Sequence, residues 1–420
     1  MSKIHPFTAI RPQPNHAAEV SCPPYDVIST EEARIRASGT QRNFVRVIRS
    51  EVEFPKETDP YSAEVYDKAL QILDDLIEDG TYMTDEEPGM FVYRLVHGDH
   101  RQVGLVCTVD AAEYRSERIR KHEKTRPDKE DDRTRHLLAV HAHAEPVLLS
   151  WRDQEHDDSI VDCMQGEMGE RPIMHFVADD VTHTLWKIRK PDQFAELFQS
   201  VPELYIADGH HRSAAAERAS TECSSSNPFH TGEEEYNRIL AVIFPDSQLS
   251  ILPYNRVVKD LNGQTPEVFL DALRTIGTLE PLGTAPTVPA HSGQVNIYLG
   301  GQWHALKIPA DSIDHTDPIQ SLDVSILQDR LLAPILGIGD PRTDTRIGFI
   351  GGIRGTEELE RCVDSGEWTV AFSMHATSMN ELLRVADANE IMPPKSTWFE
   401  PKLRSGLFLH RFEVPEMSSR

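Results

Sequence analysis

The chain has few cysteines, no long apolar run and a shortage of positive charge. Its 420 residues include 5 cysteines, and 43 Lys and Arg side chains face 68 Asp and Glu, which gives a formal net charge of −25. The cysteines are scattered without a CxxC pair, which argues against a disulfide framework or a structural zinc site. The longest uninterrupted apolar stretch, residues 239–244, is far shorter than the ~20 residues of a membrane-spanning helix. A chain this acidic repels nucleic acid and anionic membranes, so we expect neither as a partner.

The rest of the composition is that of an ordinary globular protein. The chain is 39% hydrophobic and 26% charged, which is enough apolar surface to bury a core. Its length fits two or three domains at ~100–200 residues each. The first residues lack the apolar core of a signal peptide. We therefore expect a cytoplasmic protein.

Periodicity and turn residues predict an α/β (α+β) chain with three regions, 1–112, 113–250 and 251–420. Apolar spacing near 3.6 predicts a helix over residues 61–79. Two strand-like runs separated by a His-Gly-Asp-His turn predict a hairpin near residues 90–109. Further predicted elements are strands at residues 204–207, 239–244, 295–299, 346–350 and 368–373, a loop at 220–227, and helices at 266–276, 324–332, 357–363 and 379–388.

The strongest motif is the string Asp208-Gly209-His210-His211-Arg212, which follows an apolar strand-like run and precedes an Ala-rich, helix-favouring stretch. Free backbone N–H groups and the positive end of the helix dipole make such a junction a site for anions. Gly209 lets the backbone approach a phosphate closely, and Arg212 can hold phosphate oxygens in a bidentate fork. His210 and His211 add further donors. The alternative interpretation is a plain helix start, with Asp208 as its cap and the histidines on the surface.

A second feature is the density of cations around one glutamate. Glu123 lies in a charged block with Lys121, Lys124 and Arg126. Local positive charge on an acidic protein suits an anionic ligand, which makes Arg126 a predicted phosphate-binding residue. Among these cations Glu123 is expected to stay ionised, so it can act as a general base or hold Mg²⁺ through a water. The alternative is a surface glutamate in an exposed ion pair of little energetic weight.

Two loops are candidates for binding a small substrate. Lys395, Ser396 and Thr397 join a cation and two hydroxyls in a proline-constrained loop that suits a phosphate or carboxylate, and the alternative there is a solvated loop. Asp26 follows two prolines and Tyr25, and it could meet a substrate amine. The alternative at that position is a rigid turn that packs Tyr25.

Taken together, these strings resemble the ParB/sulfiredoxin-like fold, and within that superfamily they resemble the free-serine kinases. Those kinases carry the same Asp-Gly-His-His-Arg string and a catalytic glutamate on an early strand. Nearly the whole chain also resembles the domain-of-unknown-function family 1015. The strings that carry this second resemblance are CPPYDVI (residues 22–28), HEKT (122–125), DGHHR (208–212), LDV (322–324) and MPPKST (392–397).

The resemblance implies a ParB/sulfiredoxin-like nucleotide-binding core over residues 113–250, with N-terminal and C-terminal α/β extensions. Within this core, Glu123 matches the catalytic glutamate of the kinases, which takes the proton from a substrate hydroxyl. Asp208 matches an acidic residue that contacts Mg²⁺ or substrate, and residues 209–212 match the turn that holds the phosphates.

The implied function is Mg²⁺-dependent phosphoryl transfer from a nucleotide such as ATP or ADP, or from a polyphosphate, to a small hydroxylated acceptor. Free L-serine is the leading acceptor. Two alternatives stay open at this point. One is a phosphatase or nucleotide hydrolase that uses the same site, and the other is a non-catalytic nucleotide-binding regulatory protein.

Overall fold

The computed structural model describes residues 2–153 and 159–414. The chain divides into two compact units, of which the first runs to Leu249 and resumes at Pro401, while the second is Ser250–Glu400. Within the described ranges, no helix is both long and apolar enough to cross a membrane. The mixed α/β architecture that the sequence predicts is confirmed. Both the ParB/sulfiredoxin-like core and the division into three regions stay predictions.

The first unit is built on a large mixed sheet, for which nine strands are found among the described residues. They are β1 (Ile4–His5), β4 (Phe91–His97), β5 (His100–Asp110), β6 (Ile119–Arg120), β8 (Val147–Trp151), β9 (Met174–Ala178), β10 (Val181–Lys187), β11 (Leu204–Asp208) and β12 (Arg238–Pro245). Their order is β6-β11-β8-β12-β5-β4-β10-β9, with β1 beside β5. The sheet takes strands from both sides of residue 112.

Two sequence predictions about this sheet are confirmed. The strands β4 and β5 pair as an antiparallel hairpin. All eight residues of the central strand β12 are buried, which agrees with its continuous apolar and β-branched sequence. Most neighbouring strands are antiparallel, but β6 pairs with β11, and β8 with β12, in parallel.

A second, smaller sheet belongs to the same unit. In the described chain its strands are β2 (Ala9–Pro12), β3 (Tyr82–Thr84), β7 (Ala142–His143) and β21 (Leu409–Arg411). They follow the order β3-β2-β21-β7. Strand β21 therefore ties the end of the described chain into the first unit.

Helices pack against these two sheets. Those of the first unit are α1 (Ala17–Val20), α2 (Thr30–Gly39), α3 (Val45–Ile48), α4 (Ala63–Glu78), α5 (Ala111–Arg115), α6 (Pro127–Val140), α7 (Ser159–Glu167), α8 (Pro191–Phe198) and α9 (His210–Ser226). Helix α4 confirms the helix predicted over residues 61–79. Helix α9 packs against α6 and extends through the serine-rich segment, so the loop predicted at residues 220–227 is wrong.

The second unit is an antiparallel sheet with flanking helices. Its strands are β13 (Ser250–Leu252), β14 (Tyr254–Val258), β15 (Thr278–Gly283), β16 (Gln294–Leu299), β17 (Gln302–Lys307), β18 (Ile347–Gly351), β19 (Val370–Met374) and β20 (Trp398–Glu400), and its helices are α10 (Pro266–Arg274), α11 (Asp323–Leu327), α12 (Glu357–Asp364) and α13 (Met379–Asp387). The main sheet has the order β15-β17-β16-β19-β14-β18, and β13 pairs with β20. The strands and helices predicted for residues 266–388 are confirmed within a few residues, except that α11 is shorter and continues as a π-helical turn.

The sheet of the first unit leaves no room for a side chain at Gly104. A Cβ at this position would lie 2.7 Å from the ring of Phe244, which is fully buried in β12. We expect Gly104→Ala to lower the free energy of unfolding by about 1–3 kcal/mol through overpacking. Urea unfolding followed by circular dichroism measures this loss.

The matched control is Gly39→Ala at the end of α2, where nothing lies within 4 Å of an added Cβ. Because alanine favours the helix over glycine, this variant should be as stable as the wild type or slightly more stable. Equal stability losses in the two variants would contradict the packing argument.

Candidate functional site

The two predicted motifs meet at one edge of the large sheet. Strands β6 and β11 are parallel neighbours, so the segments that follow them leave the sheet at the same edge. These segments are residues 121–126 and the turn into α9. They are joined directly, because the backbone N–H of Arg126 donates to Nε2 of His211 at 3.1 Å and that of His122 lies 3.5 Å from Nε2 of His210.

The turn between β11 and α9 requires glycine. Gly209 has a φ of 96°, in the left-handed region, and a Cβ there would lie 3.1 Å from the guanidinium carbon of Arg212. Helix α9 begins at the next residue, His210. The first backbone N–H groups of a helix have no partner within the helix, so this turn presents them together with the positive end of the helix dipole. The predicted strand–turn–helix junction is thus confirmed.

A carboxylate with two cationic partners lies under the turn. Arg212 Nη2 donates to Asp208 Oδ2 at 2.7 Å, and Lys402 Nζ donates to Asp208 Oδ1 at 3.0 Å. Burial raises the pKa of the Asp208 carboxyl, but Lys402 and Arg212 outweigh it and hold that pKa well below its usual range. Arg212 also donates from Nη1 to the Pro146 carbonyl. The carboxylate is therefore fixed in its ionised form.

These contacts bear on two predicted roles. Arg212 is only 7% exposed, and both of its terminal nitrogens are engaged within the protein, so a phosphate fork would require it to exchange partners. Asp208 was expected to contact Mg²⁺, yet each of its oxygens accepts a hydrogen bond from a cation. With both oxygens engaged in this way, Asp208 is not placed to bind a metal ion. In the part of the chain that is described, no group of three or more His, Cys, Asp or Glu side chains could hold a metal ion.

A buried histidine links this turn to the predicted base. His210 is 5% exposed, and burial lowers its pKa to about 3, so its ring is neutral at pH 7. Its Nδ1 lies 3.7 Å from Oε2 of Glu123. The ring of His122 packs edge-on against it, with centroids 4.4 Å apart. The charge of Asp208 acts on the same ring and raises its pKa against the effect of burial, so both predicted catalytic carboxylates lie near one imidazole.

The remaining predicted residues of the first unit face the same turn. Burial lowers the pKa of His211, while the Glu123 and Asp26 carboxylates raise it, which places both acids near its ring. The side chain of Glu123 is 48% exposed, so solvent reaches it. Arg126 is more exposed still and pairs with Asp128 at 2.8 Å.

The predicted acceptor loop lies in the other unit. Lys395, Ser396 and Thr397 precede β20 within Ser250–Glu400. The Lys395 carbonyl accepts a hydrogen bond from Arg256 Nη2 at 3.0 Å, and the Ser396 carbonyl accepts one from Thr377. The loop is thus held within its own unit, and its binding role stays a prediction.

Sequence reasoning missed a buried charge cluster behind the turn. Arg133 Nη1 lies 3.6 Å from Glu145 Oε2, and the Arg133 guanidinium stacks on the ring of Tyr25 at 4.2 Å. Glu145 Oε1 accepts from the Tyr25 backbone N–H at 3.0 Å and from Ser405 Oγ at 3.1 Å. Arg133, Glu145 and Arg212 help to line a cavity of about 30 Å³, which has room for an ordered water. The one local signal for Glu145 was its place shortly before a buried and mostly apolar strand, and nothing in the sequence indicated that Lys402 contacts Asp208.

Replacing Lys402 by Met should destabilise the first unit. Removing one cation leaves Asp208 with a single partner, and a loss of about 1–3 kcal/mol in unfolding free energy at pH 7 is expected for a charged hydrogen bond of this burial. The Lys402 and Asp208 side chains are 15% and 22% exposed. Urea unfolding gives the value, and Lys56→Met is the control, because the Lys56–Glu31 pair is about 70% exposed and contributes little.

The same variant makes a prediction about pH. The folded-state pKa of Asp208 is depressed, so its stabilisation is fully present above the unfolded-state pKa of about 4 and is lost as the pH falls below that value. The stability gap between wild type and Lys402→Met should therefore be constant above about pH 4 and narrow as the pH falls below about 4 toward the depressed folded-state pKa. A difference in unfolding free energy between the two proteins that also stays constant below about pH 4 would contradict the pairing of Lys402 with Asp208.

The chain has distant likenesses among solved structures. A free serine kinase variant in complex with AMP is 12% identical, with a TM-score of 0.38 over 74% of this chain and 93% of that one. SbnI with a C-terminal truncation, from Staphylococcus aureus, is 11% identical, with a TM-score of 0.38 over 75% and 89%. A conserved hypothetical protein from Pyrococcus furiosus is 12% identical, with a TM-score of 0.35 over 74% and 97%. These TM-scores are too low to establish a common fold, so the function is argued from the site.

Sequence comparison is more decisive about the family. No curated protein matches the chain. The sequence model of the family described as "Protein of unknown function (DUF1015)" matches residues 4–325, which is more than half of the chain. The protein belongs to this family.

Proposed function

We propose that the turn into α9 binds the phosphates of a nucleotide and that a phosphoryl group passes from it to the hydroxyl of a small acceptor. The observation that carries the proposal is the position of Glu123. Its carboxylate lies 3.7 Å from the imidazole of His210, the first residue of α9. A solvent-reachable base thus stands beside a helix N-terminus, which is a natural anion site.

The phosphate side of the site is supplied mainly by the backbone. The first N–H groups of α9 and the helix dipole stabilise the negative charge that spreads over the phosphoryl oxygens during transfer. Gly209 allows the close approach, since it carries no side chain over the turn. Arg126, on the adjoining segment, is exposed and adds a cation. Phosphoryl transfer depends chiefly on such positioning and charge stabilisation.

Glu123 acts as the general base. The acceptor O–H gives its proton to the Glu123 carboxylate while its oxygen forms a bond to the terminal phosphorus. The bond from that phosphorus to the bridging oxygen breaks, and the shortened nucleotide leaves with that oxygen. His210 is neutral and buried, so it can orient the Glu123 carboxylate without neutralising it.

Mg²⁺ enters the proposal only with the nucleotide. Nucleotide phosphates carry Mg²⁺ themselves and need few protein ligands for it. Asp208 is engaged by Lys402 and Arg212, so no step is assigned to a metal held by this carboxylate.

Free L-serine is the first acceptor to test, because the motifs resemble those of free-serine kinases. The carboxylate of Asp26 is near enough to His211 to raise the pKa of that ring. We propose that Asp26 binds the amine of the acceptor. Hydrolysis is the second candidate reaction, and the exposure of Glu123 favours it, since water can reach the base.

Phosphorus NMR distinguishes these reactions. Purified protein with Mg²⁺ and ATP, ADP or pyrophosphate is followed with and without L-serine. We expect a phosphomonoester signal that appears only with serine. Free phosphate produced at the same rate without serine would instead establish the hydrolase, and a protein that neither binds nor consumes any donor would contradict the proposal.

Glu123→Gln tests the base. We expect donor affinity to stay within about threefold and turnover to fall by about 10²–10⁴, the usual contribution of a general base. Isothermal titration calorimetry with ADP gives the affinity, and phosphorus NMR gives the rate. Glu86→Gln, an exposed acid outside the two segments of the site, should leave both unchanged. Wild-type turnover in Glu123→Gln would remove this residue from the mechanism.

A further inference from the structure

Residues 401–411, here called the returning segment, bring the chain back from the second unit into the first. Arg404 Nη2 donates to the Ser21 carbonyl at 2.6 Å, and Ser405 Oγ donates to Glu145 at 3.1 Å. The Gly406 N–H donates to the Ala144 carbonyl at 3.1 Å, and β21 then pairs with β2 and β7. Contacts at successive residues therefore fix the segment that presents Lys402 to Asp208.

Lys402 occupies the place where a metal ion would bind Asp208. Its ammonium lies 3.0 Å from Oδ1, while Arg212 covers Oδ2 at 2.7 Å. A divalent ion at either oxygen would meet one of these cations at close range, and like charges at such distances repel strongly. Asp26 and Glu145 are the other acids whose charge raises the pKa of Arg212.

We propose that Lys402 is the built-in counter-cation of the site, which neutralises Asp208 in place of a metal ion and contacts the phosphate of the bound nucleotide. An ammonium carries three N–H donors, so it can hold Asp208 and a phosphate oxygen at once. The contact with phosphate rests on the proposed function, whereas the exclusion of metal from Asp208 does not. The family model matches residues 4–325, so Lys402 lies outside the residues that this model matches.

The first arm of the test is ADP binding in EDTA, measured by calorimetry on the full chain. Wild type should bind ADP without metal, and Lys402→Met should bind it about tenfold more weakly or worse, as expected when a charged hydrogen bond is lost. Lys402→Arg should stay within about threefold, because the charge is kept. Lys56→Met, which removes an exposed lysine elsewhere, is the control and should bind as wild type does.

A double variant separates ligand binding from folding. In Lys402→Met with Asp208→Asn, both charges of the pair are gone, but Arg212 then has an amide oxygen in place of its carboxylate partner, so only part of the lost stability should return. The ADP affinity should not return, because the cation is still missing. Recovery of affinity together with stability would overturn the phosphate contact and leave Lys402 a purely structural role.

The second arm uses Mn²⁺ alone, followed by electron paramagnetic resonance. Wild type should show no Mn²⁺ site that depends on Asp208, so its spectrum with Mn²⁺ should match that of the single Asp208→Asn variant. A Mn²⁺ signal that is present in wild type and lost in the single Asp208→Asn variant would show that Asp208 binds the metal. That result would overturn the proposal that Lys402 neutralises Asp208 in place of a metal ion. This arm needs no nucleotide, so it decides the point even where wild type fails to bind ADP and the proposed function itself is refuted.

Discussion

The carboxylate of Asp208 joins the strand–turn–helix junction to a segment 194 residues away in sequence. It ends strand β11, it receives Arg212 from the first turn of α9, and it receives Lys402 from the returning segment. Buried charges are costly unless they are paired, and the loss of one partner leaves the others uncompensated. The direction of α9, the position of Gly209 and the path of the chain near its end all depend on this one cluster.

The site has an inner and an outer layer with different tasks. The inner layer consists of buried charges and neutral histidines, among them Arg212 at 7% and His210 at 5% exposure. These groups fix the backbone of the turn. The outer layer, Glu123 and Arg126, is open to solvent and belongs to the segment after β6. Preorganised backbone donors behind a reachable base are what phosphoryl transfer requires, because little reorganisation is then left for the reaction itself.

Local features of the fold could be predicted from the sequence, since neighbouring residues determine them. The passage from an apolar strand through Gly209 into a helix is an example, and so is the buried strand β12. The predicted loop at residues 220–227 was wrong because α9 continues to Ser226, and Cys223 on this helix is buried in a cluster with Tyr236 and Phe412. Burial outweighed the low helix propensity of serine there.

Long-range features of the site could not be predicted in this way. Nothing near Lys402 in sequence indicates that its ammonium reaches a carboxylate 194 residues away. Arg212 carries the right chemistry for phosphate, but the sequence did not reveal that Asp208 and the Pro146 carbonyl would occupy its terminal nitrogens. The pairing of Glu145 with Arg133 depends likewise on where α6 and β8 meet. In each case the partner is set by tertiary packing.

The most direct measurement is a crystal structure of the protein grown with ADP. We expect the diphosphate to lie against the backbone N–H groups at the start of α9, next to Gly209, with Glu123 facing the terminal phosphate and Lys402 still in contact with Asp208. Density for ADP at any other place, with the turn at Gly209 empty, would contradict it.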